Sequence, residues 1–233
     1  MTGAPSTSPL IGAVCIIPAL NAERTVGAVV ASIRSVLPGV VVLGIDDGST
    51  DGTRAVLARG CDHVIGFAEN RGKGAALRSA FAFAASTWNL RPILTIDADG
   101  QHDTAFAPAL LDALVRADVV IGTRQITGLS VPPHRRLANR ISSAATRAIT
   151  RCPISDSQSG YRALRPGVAL AIAARGDRYE YETDFLVRAS HMGYRIAEVA
   201  VPTIYGPPSH FREWSDALRV ARVLWSHRAA AFR

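Results

Sequence analysis

The sequence predicts an α/β protein: a mostly parallel central sheet with helices on both faces. Two observations predict it. Short, uninterrupted apolar runs alternate with longer segments whose apolar residues recur at helical spacing, and the polar motifs fall where the apolar runs stop. Continuous apolar strands separated by amphipathic helices describe a sheet buried on both sides. In such sheets ligands sit at the carboxyl ends of the strands. With 233 residues and an apolar fraction of 48%, the chain has material for one sizeable core, and it contains no internal repeat.

The elements follow in order. Gly12 to Pro18 is a short β-rich run, and Val26, Val29, Val30, Ile33 and Val36 then recur at helical spacing. Val40 to Ile45 predicts the second strand, His63 to Gly66 the third, Pro92 to Ile96 the fourth and Asp118 to Gly122 the fifth. Helical stretches are expected at Thr53 to Arg59, Gly74 to Ser86 and Ala105 to Arg116. Beyond Arg151 the pattern is less regular: a polar run DSQSGYRAL, a helix from about Thr183 to His191, and a strand-like stretch from Arg195 to Tyr205. Residues 1–9 are expected to form a disordered leader.

Charge and cysteine usage narrow the class. The formal net charge is +7, carried almost wholly by arginine, since Lys73 is the one lysine. A general arginine bias is a poor pointer to nucleic acid, and no nucleic-acid partner is expected. The distribution says more: no acidic residue falls between Val119 and Ser155, while Arg124, Arg135, Arg136, Arg140, Arg147 and Arg151 do, an excess suited to phosphate groups or an anionic membrane surface. Cys15, Cys61 and Cys152 stand at unrelated spacings, which gives neither a disulfide framework nor a metal knuckle. The amino terminus lacks the basic residues of a signal peptide, and no window reaches the ~18 consecutive apolar residues of a spanning helix. The expected location is cytoplasmic, or peripheral on the inner face of the cytoplasmic membrane.

Four polar motifs converge on one sheet edge: PALNAE after the first strand, DDGSTDGT after the second, DADGQHD after the fourth and GTR after the fifth. The fourth is the most demanding. Asp97 and Asp99 stand one residue apart at the end of an apolar strand, where hard Mg²⁺ or Mn²⁺ would find carboxylate oxygens, with Gln101 as a neutral third ligand. The competing reading is that these acids cap the next helix. In the second motif, turn and cap chemistry explains Gly48, Ser49 and Thr50, yet leaves open why Asp46 and Asp47 are adjacent, where one acid could accept hydrogen bonds from a nucleobase or ribose. NRGKGAAL offers Gly72, Lys73 and Gly74 at a helix start, similar to a phosphate cradle without the full P-loop pattern.

Taken in order, IIPALN, IDDGSTDGT, NRGKGAAL, DADGQHD, IGTR, DSQSGYRAL and EVAVPTIY resemble the inverting glycosyltransferases of the GT-A fold, in particular the polyprenyl-phosphate hexosyltransferases typified by dolichyl-phosphate mannose synthases. The resemblance runs over about residues 11–206 and implies a catalytic domain at 10–206. It implies a nucleotide-sugar donor held by Pro18, Ala19, Leu20, Asn21, Glu23, Ile45, Asp47 and Lys73, and a metal and diphosphate held by Asp97, Ala98, Asp99 and Gln101. It further implies that Arg124 faces the phosphates, and that a basic helix with Arg135, Arg136, Asn139 and Arg140 receives a polyprenyl phosphate together with Gln158 and Arg162. Departures occur in the first loop, where Leu20 and Ala22 replace an aromatic residue and a glutamate, and Glu23 follows one position late.

The chemistry so implied is displacement at an anomeric carbon, with a metal and Arg124 stabilising the leaving diphosphate. A phosphate acceptor is already ionised and needs positioning, whereas a hydroxyl acceptor on a soluble molecule, protein or polysaccharide would need a base, for which Asp156 is the candidate. A non-catalytic nucleotide-sugar binding module is the remaining alternative. The tail, 207–233, places Phe211, Trp214, Leu218, Ala221 and Trp225 on one helical face with Arg212, Arg219 and His227 away from it. Either an interfacial helix or a terminal helix packed on its own domain fits that stripe.

Overall fold

The computed structural model describes residues 12–88, 91–125, 133–178, 180–202, 204, 222, 223 and 226. The leader 1–9 and the apolar face expected in the tail, Phe211 to Trp225 with Arg212, Arg219 and His227, lie outside them. Seven strands form one sheet: β1 (Val14–Ala19), β2 (Val41–Asp46), β3 (His63–Gly66), β4 (Ile93–Thr95), β5 (Val119–Gln125), β6 (Arg162–Leu164) and β7 (Ile196–Pro202). Their order across the sheet is β3-β2-β1-β4-β6-β5-β7. Six strands run one way, and β6 alone runs antiparallel to both its neighbours, β4 and β5. The mostly parallel sheet expected from the sequence is present.

The reason for continuous apolar strands is visible in β1. Side chains alternate across a strand, and here both sets are buried: Cys15, Ile17 and Ala19 join one core, Val14 and Ile16 the other. Helices α1 (Val26–Val36), α2 (Thr53–Gly60) and α4 (Ala107–Ala113) cover the first face, with Ile33, Leu57 and Leu110 fully buried there. Helices α3 (Lys73–Trp88), α6 (Val168–Ala171) and α7 (Glu180–His191) cover the second, through Leu77, Phe81, Val168, Phe185 and Leu186. The long helix α5 (Pro133–Thr150) packs against α7. Among the described residues no helix is long and apolar enough to cross a membrane.

Two of the expected helices differ in their bounds or nature, and two elements were not expected. The helix expected from Ala105 begins as a 3₁₀ turn, Thr104–Phe106, because the Asp103 carboxylate accepts the Ala105 N–H at 3.0 Å and caps that turn before α4 starts. The helix expected from Thr183 starts at Glu180, whose carboxylate accepts the Asp177 N–H at 3.3 Å. Strand β6 and helix α6 come from the stretch that read as irregular, where three strand residues flanked by polar ones carry no period. Reversal of β6 has a consequence for the site: its leading loop, residues 156–161, enters at the edge where the parallel strands end, with Arg162 opposite Thr95 and Ile121.

Close backbone approach fixes that loop. Gly122 N–H donates to the Tyr161 carbonyl at 2.8 Å, and a Cβ on Gly122 would come within 2.9 Å of the Tyr161 ring. The Ser159 hydroxyl donates to the Gly122 carbonyl at 2.6 Å, and the Thr95 hydroxyl to the Gly160 carbonyl at 2.8 Å. Tyr161 is fully buried, and its hydroxyl has no hydrogen-bond partner among the described residues. Burying an unsatisfied hydroxyl costs stability that phenylalanine would not incur. Tyr161→Phe should therefore leave stability unchanged or raise it by up to about 1 kcal/mol in urea unfolding; a loss of that size would reveal a partner for the hydroxyl.

Candidate active site

The first two loops brace each other. Asn21, at φ +48°, accepts the Thr50 N–H at 2.9 Å through Oδ1, while its own N–H donates to Ser49 Oγ at 2.9 Å. Glu23 Oε2 accepts the Gly52 N–H at 3.0 Å. Pro18 pairs with Ile45 and Ala19 with Asp46 along the β1–β2 ladder, so Pro18, Ala19, Leu20, Ile45 and Asp47 gather at one corner of the sheet edge. Asn21 and Glu23 hold the two loops together.

Asp47 extends the brace to the third loop. Its carboxylate accepts the Arg71 N–H at 2.8 Å and the Gly72 N–H at 2.9 Å, and burial nonetheless pushes its pKa up. The reading of Gly72 and Gly74 as an open phosphate cradle is corrected here. Gly72 N–H is used by Asp47, Gly74 N–H donates to the Asp177 carbonyl at 2.8 Å, and a Cβ at either glycine would collide with the backbone of residues 176 and 177. These glycines allow two chain segments to touch.

That contact delivers Lys73, the first residue of α3, to the end of β4. Its ammonium lies 2.5 Å from Asp97 Oδ1 and 3.0 Å from Glu182 Oε1, and Arg162 Nη1 lies 2.8 Å from Glu182 Oε2. His102, buried at 4% exposure, presents Nε2 3.5 Å from Asp97 Oδ2. Burial works to raise the Asp97 carboxyl, but the Lys73 ammonium and the His102 hydrogen bond more than offset it and hold the group well below the usual carboxylate range. Asp99 behaves oppositely: burial, then repulsion from Asp97, push it up, against the Gln101 N–H that donates to Oδ1 at 3.0 Å. Ala98 is buried between them, and its carbonyl accepts the Thr25 hydroxyl at 2.7 Å.

Two carboxylates of unlike acidity fit a hard divalent cation on chemical grounds. Among the described residues no group of three or more His, Cys, Asp or Glu side chains could enclose an ion. A pair of carboxylates suits an ion that keeps several positions for water and phosphate oxygens, as Mg²⁺ does.

Across the sheet edge stands a second ion pair. Arg124 donates from Nε to Asp156 Oδ2 at 2.6 Å and from Nη2 to Oδ1 at 3.0 Å, and Asn139 Nδ2 donates to Oδ1 at 3.3 Å. Burial acts to raise Asp156, yet the Arg124 guanidinium outweighs it and keeps the carboxyl low. A carboxylate so held is a weak base. Gln158 Nε2 donates to Thr183 Oγ1 at 2.6 Å, while Gln158 Oε1 and Asn139 Oδ1 are buried without a hydrogen-bond partner among the described residues. Arg140 is exposed on α5, and Arg135 and Arg136 lie in the first turn of that helix, their side chains outside the described residues. Arg162 is also corrected. It is 3% exposed and its guanidinium is consumed by Glu182 and by the carbonyls of Ser157, Ser159 and Glu182, so it organises the interior and does not meet an acceptor.

Sequence comparison bears on what this edge does. The family model described as glycosyl transferase family 2 matches residues 14–170, which contain β1 through β6, the Asp97/Asp99 pair and the Arg124–Asp156 pair. The chain belongs to glycosyl transferase family 2. It is a glycosyltransferase, and the resemblance to the polyprenyl-phosphate hexosyltransferases is carried by its curated relatives. It is 30% identical over 202 residues to an undecaprenyl-phosphate mannosyltransferase from Micrococcus luteus, covering 80% of this chain and 81% of that one. It is 32% identical over 203 residues to a polyprenol monophosphomannose synthase from Mycolicibacterium smegmatis, covering 80% and 75%. Among solved structures, glucosyl-3-phosphoglycerate synthase from Mycobacterium tuberculosis, in complex with Mn²⁺ and UDP, superposes with a TM-score of 0.76 at 22% identity over 98% of this chain and 87% of that one, which shows the GT-A fold.

Two residues of this family 2 site escaped the sequence reading. Glu182 lies 85 positions from Asp97, inside a helix whose apolar period explains its neighbours, and nothing local marks it. His102 was visible beside the acids but its burial was not. Gly160 carries a third constraint: a Cβ there would fall inside the contact distance of Asp97 Oδ1 and Lys73 Nζ. Both are ends of side chains that can yield. Gly160→Ala should therefore leave the thermal unfolding midpoint within a few degrees while reducing glycosyl transfer about a hundredfold, the usual cost of displacing a catalytic constellation by an ångström. Normal turnover in that variant would mean that the Lys73–Asp97 contact is irrelevant to the reaction.

Proposed function

We propose that the protein transfers a hexose from a nucleotide-sugar, of the GDP-mannose or UDP-glucose type, to a polyprenyl phosphate, with inversion and with Mg²⁺ or Mn²⁺. The observation that carries the reading is the placement of the Asp97/Asp99 pair at the end of β4, facing the Arg124–Asp156 pair. The names of the curated relatives supply the acceptor class. The acid-free span from Val119 to Ser155 supports it from the charge side.

In this reading the nucleoside lies in the corner formed by Pro18, Ala19, Leu20, Ile45 and Asp47, and Asp97, Asp99 and Gln101 would hold the divalent ion. The ion supplies charge stabilisation to the leaving diphosphate. Lys73 faces the same phosphates from the α3 side. Arg124, its charge fixed by Asp156, and the basic start of α5 with Arg135, Arg136, Asn139 and Arg140 position the acceptor phosphate, with Gln158 at the rim. A phosphate oxygen attacks the anomeric carbon as the sugar–phosphate bond breaks, and the bonding pair leaves with the nucleoside diphosphate. No proton has to be removed from the acceptor, and that agrees with an Asp156 held ionised by Arg124. The same pairing argues against a hydroxyl acceptor. The membrane contact belongs to this proposal too, with the basic face of α5 beside the anionic surface where the lipid phosphate resides.

The test is to incubate the protein with labelled nucleotide-sugars, polyprenyl phosphate and Mn²⁺ and to count label in the organic phase. Label should appear there for one donor and vanish with chelator. Arg135→Ala with Arg136→Ala should raise the KM for polyprenyl phosphate about tenfold and flatten its salt dependence, with the donor KM little changed. Label confined to a water-soluble product, or equal loss of donor and acceptor affinity, would refute the acceptor assignment.

A further inference from the structure

Lys73 is an odd residue to place at the first position of a helix. The amino end of a helix already carries partial positive charge, and a cation there is unfavourable; α3 has no acidic residue in its first turn to compensate. The compensation comes from elsewhere in the fold. Glu182, 3% exposed at the side chain, holds the ammonium from behind, and Arg162, 4% exposed, holds Glu182 in turn. Lys73 and Asp97 form the outer end of this series, at 17% and 25%. Asp97 Oδ1, half of the carboxylate expected to meet a metal, already has a cation on it.

We propose that Lys73 is a resident counter-ion of the metal site: it occupies Asp97 while the site is empty, opposes the entry of a divalent ion by itself, and moves to the donor's diphosphate when the two arrive together. The inference rests on the metal and donor reading given above. Two formal charges on each side make the Arg162–Glu182–Lys73–Asp97 series neutral as it stands. Adding a divalent ion at Asp97 and Asp99 places two further positive charges a few ångströms from the Lys73 ammonium, a repulsion that even in water is of the size of a tenfold change in affinity. A diphosphate brings negative charge for both cations at once. The short tether to Glu182 lets Lys73 turn from Asp97 to that new partner without leaving its anchor. Metal and nucleotide then bind with positive coupling, and by linkage each raises the affinity of the other by the same factor.

The test uses Mn²⁺ titrated by electron paramagnetic resonance, alone and with UDP or GDP, with Mn²⁺ bound to free nucleotide subtracted. Wild type should bind Mn²⁺ weakly alone and much more tightly with one of the nucleotides. Lys73→Met should bind Mn²⁺ alone about tenfold more tightly, and the factor by which nucleotide improves Mn²⁺ binding should fall about tenfold. Because Lys73→Met removes one of the two cationic partners of Glu182 and leaves it Arg162 alone, Lys73→Met with Glu182→Gln is measured beside it, with circular dichroism to verify folding; the double variant should show the same gain in Mn²⁺ affinity. Tight nucleotide-dependent Mn²⁺ binding in wild type with no gain in either variant would overturn the role of Lys73 and leave the metal reading standing. Absence of Mn²⁺ binding to wild type with either nucleotide would overturn both.

Discussion

One half-buried ammonium between two carboxylates organises the functional edge of this protein. Lys73 comes from the start of α3, Asp97 from the end of β4, Glu182 from α7, and Arg162, which completes the series, from β6. None of these groups is stable in its position alone, since an unpaired buried charge costs several kcal/mol and removing one member exposes that cost. Four elements distant in sequence are therefore obliged to meet at one point. The glycines around them follow from that obligation: Gly72 and Gly74 let the 176–178 segment approach Lys73, and Gly160 leaves room for the Lys73–Asp97 contact.

The reversed strand β6 makes the second half of the site possible. Had it run parallel to its neighbours, its leading loop would have emerged at the far edge of the sheet. Running backwards, it delivers Asp156, Gln158 and Gly160 beside the ends of β4 and β5. Asp156 then locks Arg124 in a bidentate pair, and Arg162, the first residue of the same strand, closes the Glu182 contact. Three residues of antiparallel pairing thus bring the two ion-pair clusters to one edge.

The parallel framework was legible in the sequence because strands buried on both faces must be apolar throughout. β1, β2 and β3 lie within a residue or two of the runs that predict them. The strand-end position of Asp97 and Asp99 was legible for the converse reason: the two acids interrupt such a run. β6 was hidden because three residues beginning with arginine carry no periodicity. Glu182 was hidden because its role depends on a contact with Lys73 that no spacing encodes. Arg162 was misread for a related reason. Composition shows how many arginines a segment has, but burial decides which of them face a ligand and which, like this one, satisfy carbonyls in the interior.

A crystal structure with Mn²⁺ and the preferred nucleoside diphosphate bound is the most direct measurement of this arrangement. The expected result is an ion on Asp97 and Asp99, the diphosphate at the end of β4, and Lys73 Nζ hydrogen-bonded to a phosphate oxygen while still held by Glu182. A nucleotide bound away from that edge, or a Lys73 still on Asp97 Oδ1 beside a bound diphosphate, would contradict it.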